Sequence, residues 1–205
     1  MSLLRSAVVC AVALVGMSQR AEANNLVQNP DFDTDLAGWE AVSANYGTVI
    51  FNNSDGSPAA GSAQFNAGAG GEWAFLQQCV SPAGPPPWSF GARIRIVSSY
   101  GPIVTAYVGA RFFESADCTL SPTSPSPVIS AAAGPNVSGI EGTFIQYSGY
   151  VASNPLSGAS PVQSVLVTVG ASASIYSAII ANGDHVYFGP PDPALPVTLQ
   201  FFDVR

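Results

Sequence analysis

Hydrophobic and polar residues alternate with a period of two along much of this chain. Segment 88–97 sets Phe90, Ala92, Ile94 and Ile96 on one face and Ser89, Gly91, Arg93 and Arg95 on the other. Segment 103–113 points Val104, Ala106, Val108, Ala110 and Phe112 inward, and Thr105, Tyr107, Arg111 and Phe113 outward. A two-residue period belongs to a half-buried strand. Segments 73–80, 143–151, 162–169 and 186–188 are further short runs rich in β-branched and aromatic residues. Breakers separate them: Ser-Pro-Ala-Gly-Pro-Pro-Pro at 81–87, Ser-Tyr-Gly-Pro at 99–102, and a Pro/Ser-rich stretch at 121–127. That rhythm predicts an all-β sandwich or jelly roll. The 99–102 turn is expected to fold its two flanking strands into a hairpin, with Arg93 opposite Tyr107 on the outward face. No helix of ordinary length and no internal repeat is visible.

Composition narrows the function classes. Lys+Arg number 6 against 13 Asp+Glu, for a net charge of −7, and all six basic residues are arginines. Such a chain has no electrostatic attraction for nucleic acid or anionic lipid. The single histidine, His185, excludes any site that needs two imidazoles.

Residues 1–23 have the three-part layout of a secretory signal: a positive start at Arg5, an apolar run over 6–17, and Ala21-Glu22-Ala23 as a small-x-small cleavage site. Cleavage after Ala23 is expected, with an uncleaved N-terminal anchor as the alternative. The apolar run is short for a bilayer span. Loss of Arg5, Arg20 and Glu22 leaves 4 Arg facing 12 acids and a net charge of −8. It also removes Cys10, so Cys79 and Cys118 remain, in an extracellular or periplasmic, oxidising compartment. With no other soft ligand available, a Cys79–Cys118 disulfide is expected rather than a metal site or a catalytic thiol.

The start of the mature chain, Asn25-Leu-Val-Gln-Asn-Pro-Asp-Phe-Asp33 followed by Ala37-Gly38-Trp39, resembles the opening of the galactose-binding-like jelly-roll family. That family includes the carbohydrate-binding modules of cellulases and xylanases. Its usual opening reads Asn-Leu-hydrophobic-x-Asn-Gly-x-Phe-Glu. Further segments match in order: Asp55-Gly-Ser-Pro58 with Gly61-Ser-Ala63, Gln77-Gln-Cys-Val80, Trp88-Ser-Phe-Gly-Ala-Arg93, Gly142-Thr-Phe144 with Tyr147, and Asp184-His-Val-Tyr-Phe188. Pro30 stands where the family has Gly, and Asp33 where it has Glu. The resemblance covers about 24–190, which implies a single jelly-roll binding module. Residues 191–205 lie beyond it, either as an extra edge strand or as the stub of a tail.

The resemblance also implies a structural Ca²⁺ held by Asp33, Asp55 and Asp184 with nearby carbonyls, since Ca²⁺ takes six to eight oxygen ligands. The other reading of the Asp31/Asp33/Asp35 cluster is a solvated turn. For sugar binding, Trp39 and Trp88 occupy positions that the family buries. Trp73, after the glycines of 68–71, is the candidate platform, with Tyr107, Arg93 and Arg111 supplying stacking and hydroxyl hydrogen bonds. A plain solvent-facing sheet is the alternative. The chain has no Gly-x-Ser-x-Gly elbow, His-Glu-x-x-His or phosphate loop. Glu72, Glu114, Asp117 and Glu141 are the acids from which a glycosidase pair would come, but an enzyme is not expected. The reading is a secreted, non-catalytic, monomeric module for polysaccharide or cell-surface glycan. A structural or adhesive sandwich and a glycan-active hydrolase or lyase are its alternatives.

Overall fold

The computed structural model describes residues 25–101, 103–119, 128–133, 143–156 and 160–191. The expected signal at 1–23 and all but the first residue of the 191–205 tail lie outside them. Among the described residues every element is a strand: β1 Glu40–Ala44, β2 Thr48–Asn52, β3 Ser62–Ala67, β4 Trp73–Val80, β5 Trp88–Tyr100, β6 Val104–Phe113, β7 Val128–Ala133, β8 Ile145–Val151, β9 Ser164–Ala173 and β10 Ala178–Gly189. They form two antiparallel five-stranded sheets, β1-β4-β9-β6-β7 and β2-β3-β10-β5-β8. The all-β sandwich read from the alternation is the architecture observed.

Alternation sorts side chains as expected. Phe90, Ala92, Ile94 and Ile96 of β5 are buried, as are Val104, Ala106, Val108, Ala110 and Phe112 of β6. Trp88 belongs to the core, 5.7 Å from Phe112 and 6.3 Å from Phe188 between ring centroids. Full burial of each such ring contributes about 1.5–3 kcal/mol. Phe113 departs from the pattern: it sits at an outward position yet is only 2% exposed.

The expected hairpin does not form. β5 pairs with β10 and β8, and β6 pairs with β9 and β7, so the chain crosses from one sheet to the other between Tyr100 and Val104. The inward faces of β5 and β6 therefore meet across the core instead of lying side by side. Alternation is identical in the two arrangements, because each buries the same residues. Gly101 makes the crossing possible: its φ is +88°, and a Cβ there would lie 2.6 Å from the Tyr176 carbonyl oxygen.

β10 organises the second sheet. Its first half pairs with β3 over Ile179–Gly183 and with β5 on the other side. After the irregularity between Asp184 and Tyr187, the chain's opening segment takes β3's place. The amide of Val186 donates to Pro30 O (2.9 Å) and that of Leu26 to Phe188 O (2.8 Å), while Asn25 Nδ2 donates to Val186 O.

The Cys79–Cys118 disulfide is present and links β4 to the loop after β6 across 39 residues. Ser164 Oγ steadies that loop by accepting from the Cys118 amide (3.0 Å) and donating to Ser115 O (2.6 Å). On the chain-entropy model, closing such a loop stabilises by about 3–4 kcal/mol. The Cys79→Ser/Cys118→Ser double variant is expected to lose that amount in urea unfolding. A midpoint equal to wild type would contradict the assignment.

Candidate functional site

On the first sheet, the outward positions of β4 and β6 gather rings into a ladder. Trp73 and Phe75 alternate on the same face of β4 and stack, with centroids 4.9 Å apart and planes 12° from parallel. Phe75 meets Tyr107 of β6 edge-on at 5.0 Å. β9 runs between those two strands, and its residue at that level is Gly170, paired with Phe75 on one side and Tyr107 on the other. A Cβ at Gly170 would lie 2.3 Å from Phe75 Cδ1. The absence of a side chain there lets the two rings close over β9. All three rings are half-buried. Burial holds the Tyr107 hydroxyl well above its ordinary pKa, and Arg111 partly offsets that. The phenol therefore stays neutral, able both to donate and to accept.

Further along the same face, Gln77 follows Phe75 and donates from Nε2 to Glu40 Oε2 at 2.8 Å. These two residues help line a groove of about 510 Å³ that continues past Leu166, Cys79 and Asp117. Arg111 lies on this face as well, level with Leu166 of β9. A strip of flat rings leading into a groove of amides and acids suits a ligand with apolar ring faces and hydroxyl edges.

The sequence names Trp73, Tyr107, Arg93 and Arg111 as candidate ligand-binding residues and puts Tyr107 and the two arginines on one outward face. The structure brings Trp73, Tyr107 and Arg111 onto one face but carries Arg93 to the other sheet, because β5 and β6 do not pair. Arg93 lies level with Asp184 and Gln146, and its Nη1 donates to Ser57 Oγ at 3.1 Å. Phe75 is the residue missed, although its place in the alternation of 73–80 was signal enough. Trp39 keeps its structural role, its Nε1 donating to Gln28 O at 3.0 Å and its ring 5.5 Å from Phe32.

No family model and no curated protein matches the sequence. Solved structures do. The carbohydrate-binding module TmCBM61, solved with β-1,4-galactotriose, matches at TM-score 0.52 and 12% identity over 81% of this chain and 98% of that one. Carbohydrate-binding modules of the β-sandwich superfamily, described as promiscuous in specificity, match at 0.54 and 15% over 81% and 63%. The C-terminal family 22 module of Clostridium thermocellum Xyn10B matches at 0.52 and 11% over 82% and 94%. The fold is a β-sandwich jelly roll similar to that of these modules.

Within this jelly roll the three aspartates named for calcium have other partners. Asp55 is paired with Arg95 at 2.5 Å and also accepts from Asn182 Nδ2. Arg95 in turn lies over the Phe144 ring, 5.6 Å from its centroid. Asp184 accepts the amides of Ser57 at Oδ2 (2.5 Å) and His185 at Oδ1 (2.7 Å). Asp33 is exposed. Among the described residues no three His, Cys, Asp or Glu side chains converge on a point that would hold a metal ion. The three aspartates therefore do not form a side-chain cluster of their own.

Two of the candidate glycosidase acids have other roles. Glu72 is buried, its Oε2 accepting the Gly68 amide. Asp117 is held below the usual carboxylate range by the Thr119 hydroxyl and amide, the reverse of what a general acid needs. Glu141 lies outside the described residues.

Asp184 has a testable titration. Burial, more than any neighbour, raises its carboxyl from 3.8 to about 7; the Ser57 and His185 amides pull it down, and Asp31 pushes it up. Between about pH 4 and 7 the folded state binds a proton that the unfolded chain has released. Stability therefore falls as pH rises through that window. Comparison with a chain that lacks the carboxyl isolates its contribution, so the informative quantity is wild type minus Asp184→Asn. That difference, wild-type stability less variant stability, is expected to rise as pH falls from about 7 to about 4, read as urea midpoints; a difference independent of pH would contradict it.

Proposed function

We propose that this chain is a secreted, non-catalytic module that binds polysaccharide along the outward face of the β1-β4-β9-β6-β7 sheet. The observation that carries the proposal is the Trp73–Phe75–Tyr107 ladder closing over Gly170 and running into the groove at Gln77 and Glu40. Aromatic rings in this setting stack on the CH faces of pyranoses, and the amides and acids beyond them match hydroxyl edges. The galactotriose complex of TmCBM61 supports a neutral sugar as the ligand class. Secretion is supported by the layout of residues 1–23.

Affinity electrophoresis in gels containing β-1,4-galactan, xylan, β-glucan, cellulose or pectin tests the reading. Wild type is expected to be retarded by at least one of them. Trp73→Ala and Tyr107→Ala should each weaken retention about tenfold or more, equivalent to about 1.4 kcal/mol, while Arg93→Gln on the opposite face leaves it unchanged. Free migration in every gel would refute a glycan site.

Because the three aspartate side chains form no cluster, the reading includes no structural ion. Thermal melting is expected to give the same midpoint with and without a chelator. A drop of several degrees on chelation would show that a divalent cation is bound after all.

A further inference from the structure

Five large hydrophobic residues at one end of the sandwich are more than half exposed: Tyr46 88%, Tyr176 79%, Tyr100 76%, Ile103 61% and Ile175 61%. They belong to four connections that meet there. The β1–β2 turn reaches the β3–β4 loop through Asn45 Nδ2, which donates to Gly70 O at 3.3 Å. The β3–β4 loop bridges the β9–β10 loop at Gly70 and Ile175. The β9–β10 loop is tied to the β5–β6 crossing by Ser174 N donating to Ile103 O (3.0 Å) and Ile103 N donating to Ser177 Oγ (3.3 Å). Ligated in this way, the rings form one patch on a braced support. Tyr176 is displayed from a left-handed backbone, φ +69°, an unusual conformation for a bulky residue.

The patch carries no exposed charge. Within residues 44–48, 67–73, 100–104 and 173–178 the only charged residue is Glu72, and it is buried. In a chain of net charge −7, the acids lie elsewhere. Monomeric proteins rarely expose contiguous apolar patches of more than a few hundred Å².

We propose that this loop end is the contact surface for a second copy of the chain, joined tip to tip about a two-fold axis. Like-charged copies repel least where the approaching surfaces are uncharged. A tyrosine hydroxyl both donates and accepts, so a tyrosine patch is complementary to itself, as an isologous interface requires. Three tyrosines of about 150–250 Å² each, with two isoleucines beside them, approach the roughly 800 Å² that each partner gives to a standard interface. Bracing of the loops lowers the ordering cost on association. A lipid surface fits less well, since the tip has no cation to engage phosphate. A sugar fits less well too, since Ile103 and Ile175 offer neither a flat ring nor a hydrogen bond. The inference is independent of the glycan proposal.

Sedimentation equilibrium of the secreted protein, residues 24–205, tests it. A monomer–dimer equilibrium with Kd at or below about 100 μM is expected. It should tighten when salt rises from about 0.1 to 1 M and the Debye length falls from about 10 to 3 Å. Tyr46→Ser/Tyr176→Ser should weaken it at least about tenfold with an unchanged melting midpoint, because both side chains are exposed. Three outcomes would overturn the proposal: wild type monomeric at about 1 mM; an undiminished dimer in the double variant; or a monomeric protein that uses the same two tyrosines to bind polysaccharide or phosphatidylcholine vesicles.

Discussion

β10 is the strand on which the rest of the structure depends. It comes last among the described strands, yet three earlier parts of the chain pair with it: β3, β5 and the opening segment at residues 25–30. The second sheet is therefore incomplete until residues 178–189 arrive. Pairings of such sequence separation carry a high loop-closure cost before any contact repays it. The irregularity at Asp184–Tyr187 lets one strand serve two neighbours in turn. His185 adopts φ +49° there, and its ring reaches Asp31 in the opening segment. The buried Asp184 beside it ties the Ser57 loop to the same point.

That arrangement decides which outward residues share a face. With β10 pairing β5, the β5 strand is held in the second sheet, and its arginines point away from the rings of β4 and β6. Arg95 and Asp55 neutralise one another there, with Phe144 and Asn182 alongside. The first sheet is left with Trp73, Phe75 and Tyr107 as its outward feature. A glycine, Gly170, lets those rings meet. Two sheets built by the same alternation thus present unlike surfaces, one of charge and amide and one of aromatic rings.

Much of the fold was legible in the sequence, because period-two alternation reports burial directly. The inward sets of β5 and β6 and the span of β4 came straight from it. It missed four strands: β1 (EAVSA) and β3 (SAQFNA) are short, nearly free of β-branched residues and held by their neighbours rather than by their own propensity, while β2 (TVIFN) and β7 (VISAAA) are runs of five and six residues too short to stand out. The expected pairing of β5 with β6 failed for a different reason. Alternation tells which side of a strand is buried but not which strand lies beside it, so a hairpin and a crossing between sheets look alike. That one ambiguity misplaced Arg93. The aspartates read for calcium came from matched positions alone. The contacts that Asp55 and Asp184 make with Arg95, Ser57 and His185 are set by tertiary pairing that no linear motif records. The tyrosine tip was equally hidden, since its four loops are far apart in sequence.

Indole resonances offer the most direct check on the aromatic ladder. The chain has three tryptophans: Trp88 in the core, Trp39 donating to backbone carbonyls, and Trp73 in the ladder. In a ¹H–¹⁵N spectrum recorded during titration with a β-1,4-linked oligosaccharide that retards the protein, the account predicts that the Trp73 indole signal shifts in a saturable manner while those of Trp39 and Trp88 stay in place. A Trp73 signal that does not move at saturating ligand would contradict it.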